Sequence, residues 1–361
     1  MPVKANDHIT SSPSQPQPPA DFKKPVYKVN LALNESPFPP FPAARAAYDA
    51  AGKVLNRYPE YTSHSLRLVL GEKYGIDNTR IMCTAGSEQI LAFIARAYIA
   101  PEDEVIYPKY GFMVYKFNIA MAGAIGIPVE HDDFKINVQY ILDAVTDKTR
   151  LVFLDNPGNP TGTYVPYDDI KRLRAELRDD ILLVLDAAYA EFCTHNDYDA
   201  GLSLVDQYAN VVVTRTLSKL YGLSGLRVGW TYGPAEIINT LLHLKGGFNV
   251  NYPAQAAGAA AVMDDEYANM VRSHCQKSID WMSAELRALG INVTPSVCNF
   301  MLIHFADGRE KMKACDQYLK ENDIGVGPLG AYGLDSSLRI TVGTDDENKA
   351  FIDAMKDYMG K

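Results

Sequence analysis

Lys219 stands in the stretch TRTLSKLYGLSGLRVGW (residues 214–230), among small hydroxyl residues and ahead of a glycine-rich turn that carries Arg227. A lysine beside Thr216 and Ser218, with an arginine close by, is the set that would hold a phosphate-bearing aldehyde. The amine condenses with the aldehyde, while the guanidinium fork and the hydroxyls grip the phosphate. A carboxylate completes the set. Asp186 follows five apolar residues, Ile181 to Leu185, so its charge is placed where desolvation is expensive and needs a partner. It either caps a helix or pairs with a protonated heterocyclic nitrogen. Asn159 lies in DNPGNPTG (155–162), a segment whose prolines and glycines alone already explain a tight turn. Gly86, Ser87 and Glu88 open a helix directly after a strand, which makes either a plain N-cap or a seat for phosphate on free backbone N–H groups. A dinucleotide loop is excluded, because the GxGxxG spacing is absent from GLSGLRVG.

The elements that must position these residues alternate in a regular way. SHSLRLVLGEKYG reads as an amphipathic helix, TRIMCTAG as a short buried strand, SEQILAFIARAYI as a helix and DEVIYP as a strand. AGAIGIPVE, TRLVFLDNP, ILLVLDAAYAEF and NVVVTRTLS are further apolar runs of strand length, separated by helical segments. Apolar strands between helices predict a mostly parallel sheet covered on both faces, with ligands at the carboxyl ends of the strands. Ser87 and Glu88, Asn159, Asp186 and Tyr189, and Ser218 and Lys219 all fall at such ends. Past residue 260 the pattern changes to a long helix (DEYANMVRSHCQKSIDWMSAELRALG), short strands at NFMLIHF and SLRITVGT, and the helix KMKACDQYLKEN between them. The expectation is an α/β chain divided into an N-terminal arm (1–25) without order and a segment joining the small domain (26–50). A large domain (51–255) and a smaller α+β domain (256–361) follow.

Composition narrows the function. With 361 residues, 47% of them hydrophobic, the chain can bury a large core, and a net charge of −9 argues against nucleic acid as a partner. Five scattered cysteines without a CxxC pair fit reduced thiols in the cytoplasm, and the seven histidines show no metal-ligand spacing, so no metal site is expected. No stretch approaches the ~18 apolar residues of a membrane span. The first 25 residues, rich in Ser, Pro and Gln, lack the apolar core of a secretory signal.

The ordered elements Gly-Ser-Glu, Asn-Pro-Thr-Gly, Asp-Ala-Ala-Tyr, Ser-Lys-x8-Arg and Leu-Arg-Ile-Thr-Val-Gly-Thr resemble the fold-type-I pyridoxal-phosphate aminotransferases. With LNESPFPPFP (33–42), NRYPEY (56–61), PKYGFMVY (108–115) and TLSKLYGLSGLRVG, the chain is most similar to the histidinol-phosphate aminotransferase branch, from about residue 28 onward. The resemblance implies pyridoxal 5′-phosphate bound covalently to Lys219, which also carries the proton to and from the substrate carbon. Asp186 would pair with the ring nitrogen, Asn159 and Tyr189 would bond the phenolic oxygen, and Tyr110 would stack on the ring. Ser87, Glu88, Thr216, Ser218 and Arg227 would hold the phosphate, joined by Tyr58 from the neighbouring subunit of a homodimer with shared active sites. Arg339 would bind the anionic group of the substrate, with Asn34 and Phe248 also on the substrate side. In LRITVG, Arg339 faces away from Leu338 and Ile340, which agrees with a pocket position.

The chain departs from the pattern in three places. Gly327 stands where an arginine commonly meets a second anionic group. Lys245, Gly246, Gly247, Phe248 and Asn249 replace an Arg-Pro-Pro-aromatic-Asn element, and Tyr27 is only a loose counterpart of an N-terminal arm tyrosine. The partners implied are a small amino donor and a 2-oxo acid acceptor. The foremost donor is histidinol phosphate with 2-oxoglutarate as acceptor. Aromatic or other amino acids, or a decarboxylation, are the alternatives. A non-catalytic regulator that senses the cofactor would need a DNA-binding segment, and residues 1–27 are too short and too little basic for one.

Overall fold

The computed structural model describes Ile9, Thr10 and residues 26–361, so the arm expected at residues 1–25 falls almost wholly outside the described residues. In chain order the strands are β1 (Val29–Leu31), β2 (Ile81–Thr84), β3 (Glu104–Pro108) and β4 (Ile125–Val129). A hairpin follows, formed by β5 (His131–Asp132) and β6 (Lys135–Ile136), and then come β7 (Thr149–Asp155), β8 (Leu182–Asp186), β9 (Val211–Thr216) and β10 (Gly229–Tyr232). The C-terminal part adds β11 (Asn292–Thr294), β12 (Phe300–His304), β13 (Ile324–Leu329) and β14 (Leu334–Thr341).

Seven strands make the larger sheet in the order β2-β10-β9-β8-β7-β3-β4. Every residue of β8 and β9 is buried, as continuous apolar runs require when helices cover both faces. Alternate residues feed opposite cores: Leu183, Leu185, Val211 and Val213 pack into one, and Leu182, Val184 and Val212 into the other. Burial of each such side chain contributes roughly 1.5–3 kcal/mol. The expected α/β architecture with a mostly parallel sheet is what the chain forms.

One strand of the larger sheet is not legible in the sequence. β10 runs antiparallel to both β9 and β2, between them. Its first residue explains why it reads as loop and why it is glycine. A Cβ on Gly229 would lie 2.4 Å from the Ser87 backbone nitrogen and 2.7 Å from the Gly86 carbonyl carbon.

The second sheet has the order β1-β13-β14-β12-β11. It is antiparallel except at β1, where Val29–Leu31 adds in parallel to β13 and ties the start of the described chain to its C-terminal part. The helix Asp265–Ala288 leads to this sheet; its buried residues Ala268, Val271, Cys275, Ile279, Met282 and Leu286 recur every three or four positions. Its N-cap, Asp264, accepts the Tyr267 N–H at 3.0 Å.

Candidate functional site

A cavity of roughly 320 Å³ opens between the two sheets, over the carboxyl ends of β2, β7, β8 and β9. The larger sheet contributes Ser87, Glu88, Asn159, Asp186, Tyr189, Thr216, Ser218, Lys219 and Arg227; Asn34 and Arg339 come from the side of the smaller one. Residues 305 positions apart in sequence thus share one space.

At the centre, Lys219 points its amine inward, 3.4 Å from the Leu33 carbonyl oxygen, and 5.7 Å from the centre of the Tyr189 ring. Burial, aided by the positive charges of Arg339 and Arg227 and opposed by Glu35, lowers its pKa to about 8. Asp186 is 3% exposed. Its Oδ2 accepts from the Tyr115 hydroxyl at 3.1 Å and its Oδ1 from the Thr214 hydroxyl at 3.3 Å. Burial still wins over those two bonds and raises the Asp186 pKa to about 6, which leaves the carboxylate ionised at neutral pH. Neither Tyr115 nor Thr214 announces this contact in the sequence.

One end of the cavity is an anion seat. The helix Ser87–Tyr98 begins there with Gly86 as N-cap and no side chain capping it, so its first N–H groups stay available. Gly86 has φ +82°, and a Cβ on it would sit 2.5 Å from Arg227 Nη2, so the guanidinium closes on this turn through that nitrogen. The Thr216 hydroxyl donates to Ser218 Oγ at 3.0 Å, which leaves the Ser218 proton free for a ligand.

The other end is built around Arg339. Its Nη1 donates to Asn159 Oδ1 at 2.7 Å and its Nη2 to the Ala32 carbonyl at 2.9 Å, while its buried Nε has no partner. Asn34, buried with φ +53°, donates from Nδ2 to the Tyr189 hydroxyl oxygen at 2.9 Å and is itself fixed by Thr341. Asn34 therefore orients Tyr189. Because Arg339 occupies Asn159 Oδ1, the Nδ2 group of this cavity-lining residue is the part left to donate.

Two residues expected at this cavity, Tyr110 and Phe248, lie elsewhere. Tyr110 does not line the cavity: its ring packs 4.9 Å from His131 and among Leu302, Leu329 and Leu334. The chain turns sharply after β3, with the Gly111 N–H bonded to the Pro108 carbonyl at 2.7 Å, so the aromatic ring delivered to the cavity is Phe112. Phe248 and Tyr58 also stand outside it. They stack on each other at 4.5 Å, and Tyr58 is 83% exposed. Tyr27 packs on Gly325 in β13 rather than in the cavity. Gly327 pairs with Arg339 across β13 and β14; a Cβ there would meet the Ala32 and Arg339 carbonyl oxygens at 3.2 and 3.3 Å. Besides Phe112 and Tyr115, the sequence reading missed Asp155 and Tyr332, both on the cavity wall. Asp155 gave the same signal as Asp186, a carboxylate ending an apolar strand.

Residues 26–355 match the family model described as aminotransferase class I and II. The chain belongs to that family. Among its curated relatives is the histidinol-phosphate aminotransferase of Rhodopseudomonas palustris (strain BisB18), 44% identical over 345 residues that cover 95% of this chain and 94% of the relative. The enzyme of the same name from Paramagnetospirillum magneticum is 44% identical, covering 92% of each chain. The fold of this family member matches the crystal structure of the Sinorhizobium meliloti histidinol-phosphate aminotransferase in complex with pyridoxal-5′-phosphate. There the TM-score is 0.90 and the identity 24%, with 100% of this chain and 98% of that one covered.

Proposed function

We propose that the chain is a pyridoxal-phosphate-dependent aminotransferase that moves the amino group of histidinol phosphate to 2-oxoglutarate, giving imidazole acetol phosphate and glutamate. The 44% identity to histidinol-phosphate aminotransferases along nearly the whole of both chains carries this reading. The cavity fits the cofactor on its own terms: a glycine-walled anion seat at one end, a buried carboxylate without a cation, and a half-buried lysine amine between them.

The cofactor supplies an aldehyde for the amine of the substrate and a ring that accepts the electron pair of the broken C–H bond. The residues do the rest. Lys219, half neutral near pH 8, is the attachment point and the base that takes and returns the proton at the substrate carbon. Asp186 would supply the carboxylate that favours a protonated ring nitrogen. Tyr189 keeps its hydroxyl proton, because burial holds its pKa well above the ordinary tyrosine value, and so donates toward the phenolic oxygen together with Asn159. The Ser87 and Glu88 N–H groups, Thr216, Ser218 and Arg227 would hold the phosphate, and Phe112 would offer the aromatic surface expected of Tyr110. Arg339 binds the single anionic group of the donor. No second arginine lines that end of the cavity among the described residues, which suits a donor with one anionic group.

The same count of one arginine supports a second reading, an aromatic amino acid as donor. Adding histidinol phosphate, phenylalanine or tyrosine to the loaded enzyme separates the two. Histidinol phosphate should bleach the visible band rapidly and 2-oxoglutarate restore it; bleaching by phenylalanine alone would overturn the first reading. We also propose a cytoplasmic homodimer in which Tyr58, exposed and turned away from its own cavity, reaches the phosphate of the partner's cofactor. Residues 51–255 would form the large domain, and 256–361 with 26–50 the small one.

A further inference from the structure

Two carboxylates, not one, face the cavity from the floor of the larger sheet. Asp155 ends β7 and is in register with Asp186 at the end of β8, so in this parallel pair their side chains leave the sheet on the same side. Both line the cavity, and Asp155 is 3% exposed. Its Oδ2 accepts the backbone N–H of Asn159 at 2.9 Å. Its Oδ1 is buried and makes no well-formed hydrogen bond, with the Phe112 backbone N–H acting on the carboxylate from the adjoining turn. Gly111 gives it room, since a Cβ there would stand 3.1 Å from Oδ1.

The groups around Asp155 offer no countercharge. Asp186 lies beside it on β8, Tyr115 comes from the helix Val114–Met121, Tyr332 from the turn after β13, and Cys298 from the segment before β12. Among the described residues no ion pair reaches it, and Arg339 is turned to Asn159 and Ala32 instead. A buried carboxylate in this condition either keeps a proton or waits for a cation that the ligand brings.

Resting on the cofactor reading above, we propose that Asp155 is a second carboxylate of the cofactor seat. Its charge joins that of Asp186 in keeping the ring nitrogen protonated, while its other oxygen fixes the turn that presents Asn159. Asp155 is a positioning residue, acting through charge and through Asn159. Before the ligand binds, burial first and Asp186 second, opposed by the Asn159 N–H, raise its pKa to about 7. Its help therefore belongs to the alkaline side of neutrality and fades as the pH falls.

Asp155→Asn removes the charge and keeps an acceptor for the Asn159 N–H; Asp155→Ala removes both. The apo proteins are titrated with pyridoxal phosphate carrying ¹⁵N in the ring, and affinity and ring-nitrogen chemical shift are followed from pH 5.5 to 9. Asp155→Asn should bind about tenfold more weakly than wild type at pH 8.5, and its ring nitrogen should lose its proton about one pH unit earlier. The affinity gap should close below pH 6. Asp155→Ala should lose affinity at all these pH values. If Asp155→Asn matches wild type in both readouts at pH 8.5, the inference is overturned. A wild-type protein that takes up no cofactor would instead overturn the functional reading on which it rests.

Discussion

Single residues in this cavity carry paired duties, and the magnitudes say what each substitution should cost. Arg339 binds Asn159 and Ala32 through two different nitrogens, a fork that lysine cannot reproduce. Arg339→Lys should raise KM for the anionic donor about 10- to 100-fold and lower kcat as well, because Asn159 loses its latch; steady-state kinetics measure both. Lys219 has its pKa lowered to about 8, so the neutral amine fraction grows with rising pH and levels off above that value. The rate at which apo protein captures pyridoxal phosphate should rise about tenfold per pH unit below 8 and flatten above it, as stopped-flow absorbance can follow. Asp155 shows the opposite linkage. Its pKa is raised to about 7 from 3.8, so the folded apo protein binds the proton more tightly than the unfolded chain. The benefit is fully present below pH 4 and lost as pH rises through 7. Asp155→Asn should therefore stabilise the apo protein at pH 8 by on the order of 2 kcal/mol, with the advantage shrinking as the pH is lowered; calorimetry across pH checks this.

At the scale of elements, the strands that could be read were those with continuous apolar runs, because burial on both faces leaves no alternation to obscure them. β7, β8 and β9 are plain in the sequence, and with them the ends that carry Asn159, Asp186 and Lys219. β10 was hidden by its glycine start. Tyr110 and Phe112 were confused because both are aromatic and only the turn at Pro108–Gly111 decides which one reaches the cavity. Contacts such as Tyr115 to Asp186 join residues 71 apart and leave no local pattern. The glycine that hid β10 also makes a sharp test. Gly229→Ala presses a methyl group onto the backbone of the phosphate turn, and should cost on the order of 2–3 kcal/mol together with cofactor affinity. Gly225→Ala, with nothing within 4 Å of the added carbon, should be close to neutral; thermal melts of the two variants give the comparison.

For the molecule as a whole, the proposed dimer is tested by mixing two damaged chains. Lys219→Ala subunits should be inactive, and Tyr58→Ala subunits should hold cofactor poorly. If Tyr58 serves the partner's site, each hybrid dimer regains one intact site. Refolding an equal mixture should then restore about a quarter of wild-type activity at low cofactor concentration. A mixture no more active than its parts would show that Tyr58 serves no site across an interface.

The bond from Asn34 to Tyr189, with Asn34 anchored by Thr341, closes a loop through almost the entire polypeptide. A chain emerging from the ribosome can assemble the lysine, the carboxylates and the phosphate turn long before β14 exists. Until that last strand docks, Tyr189 has no fixed direction and the substrate end has no cation. A chain that lacks β14 therefore keeps the lysine but has neither the anchor of Asn34 nor the guanidinium at the far end of the cavity.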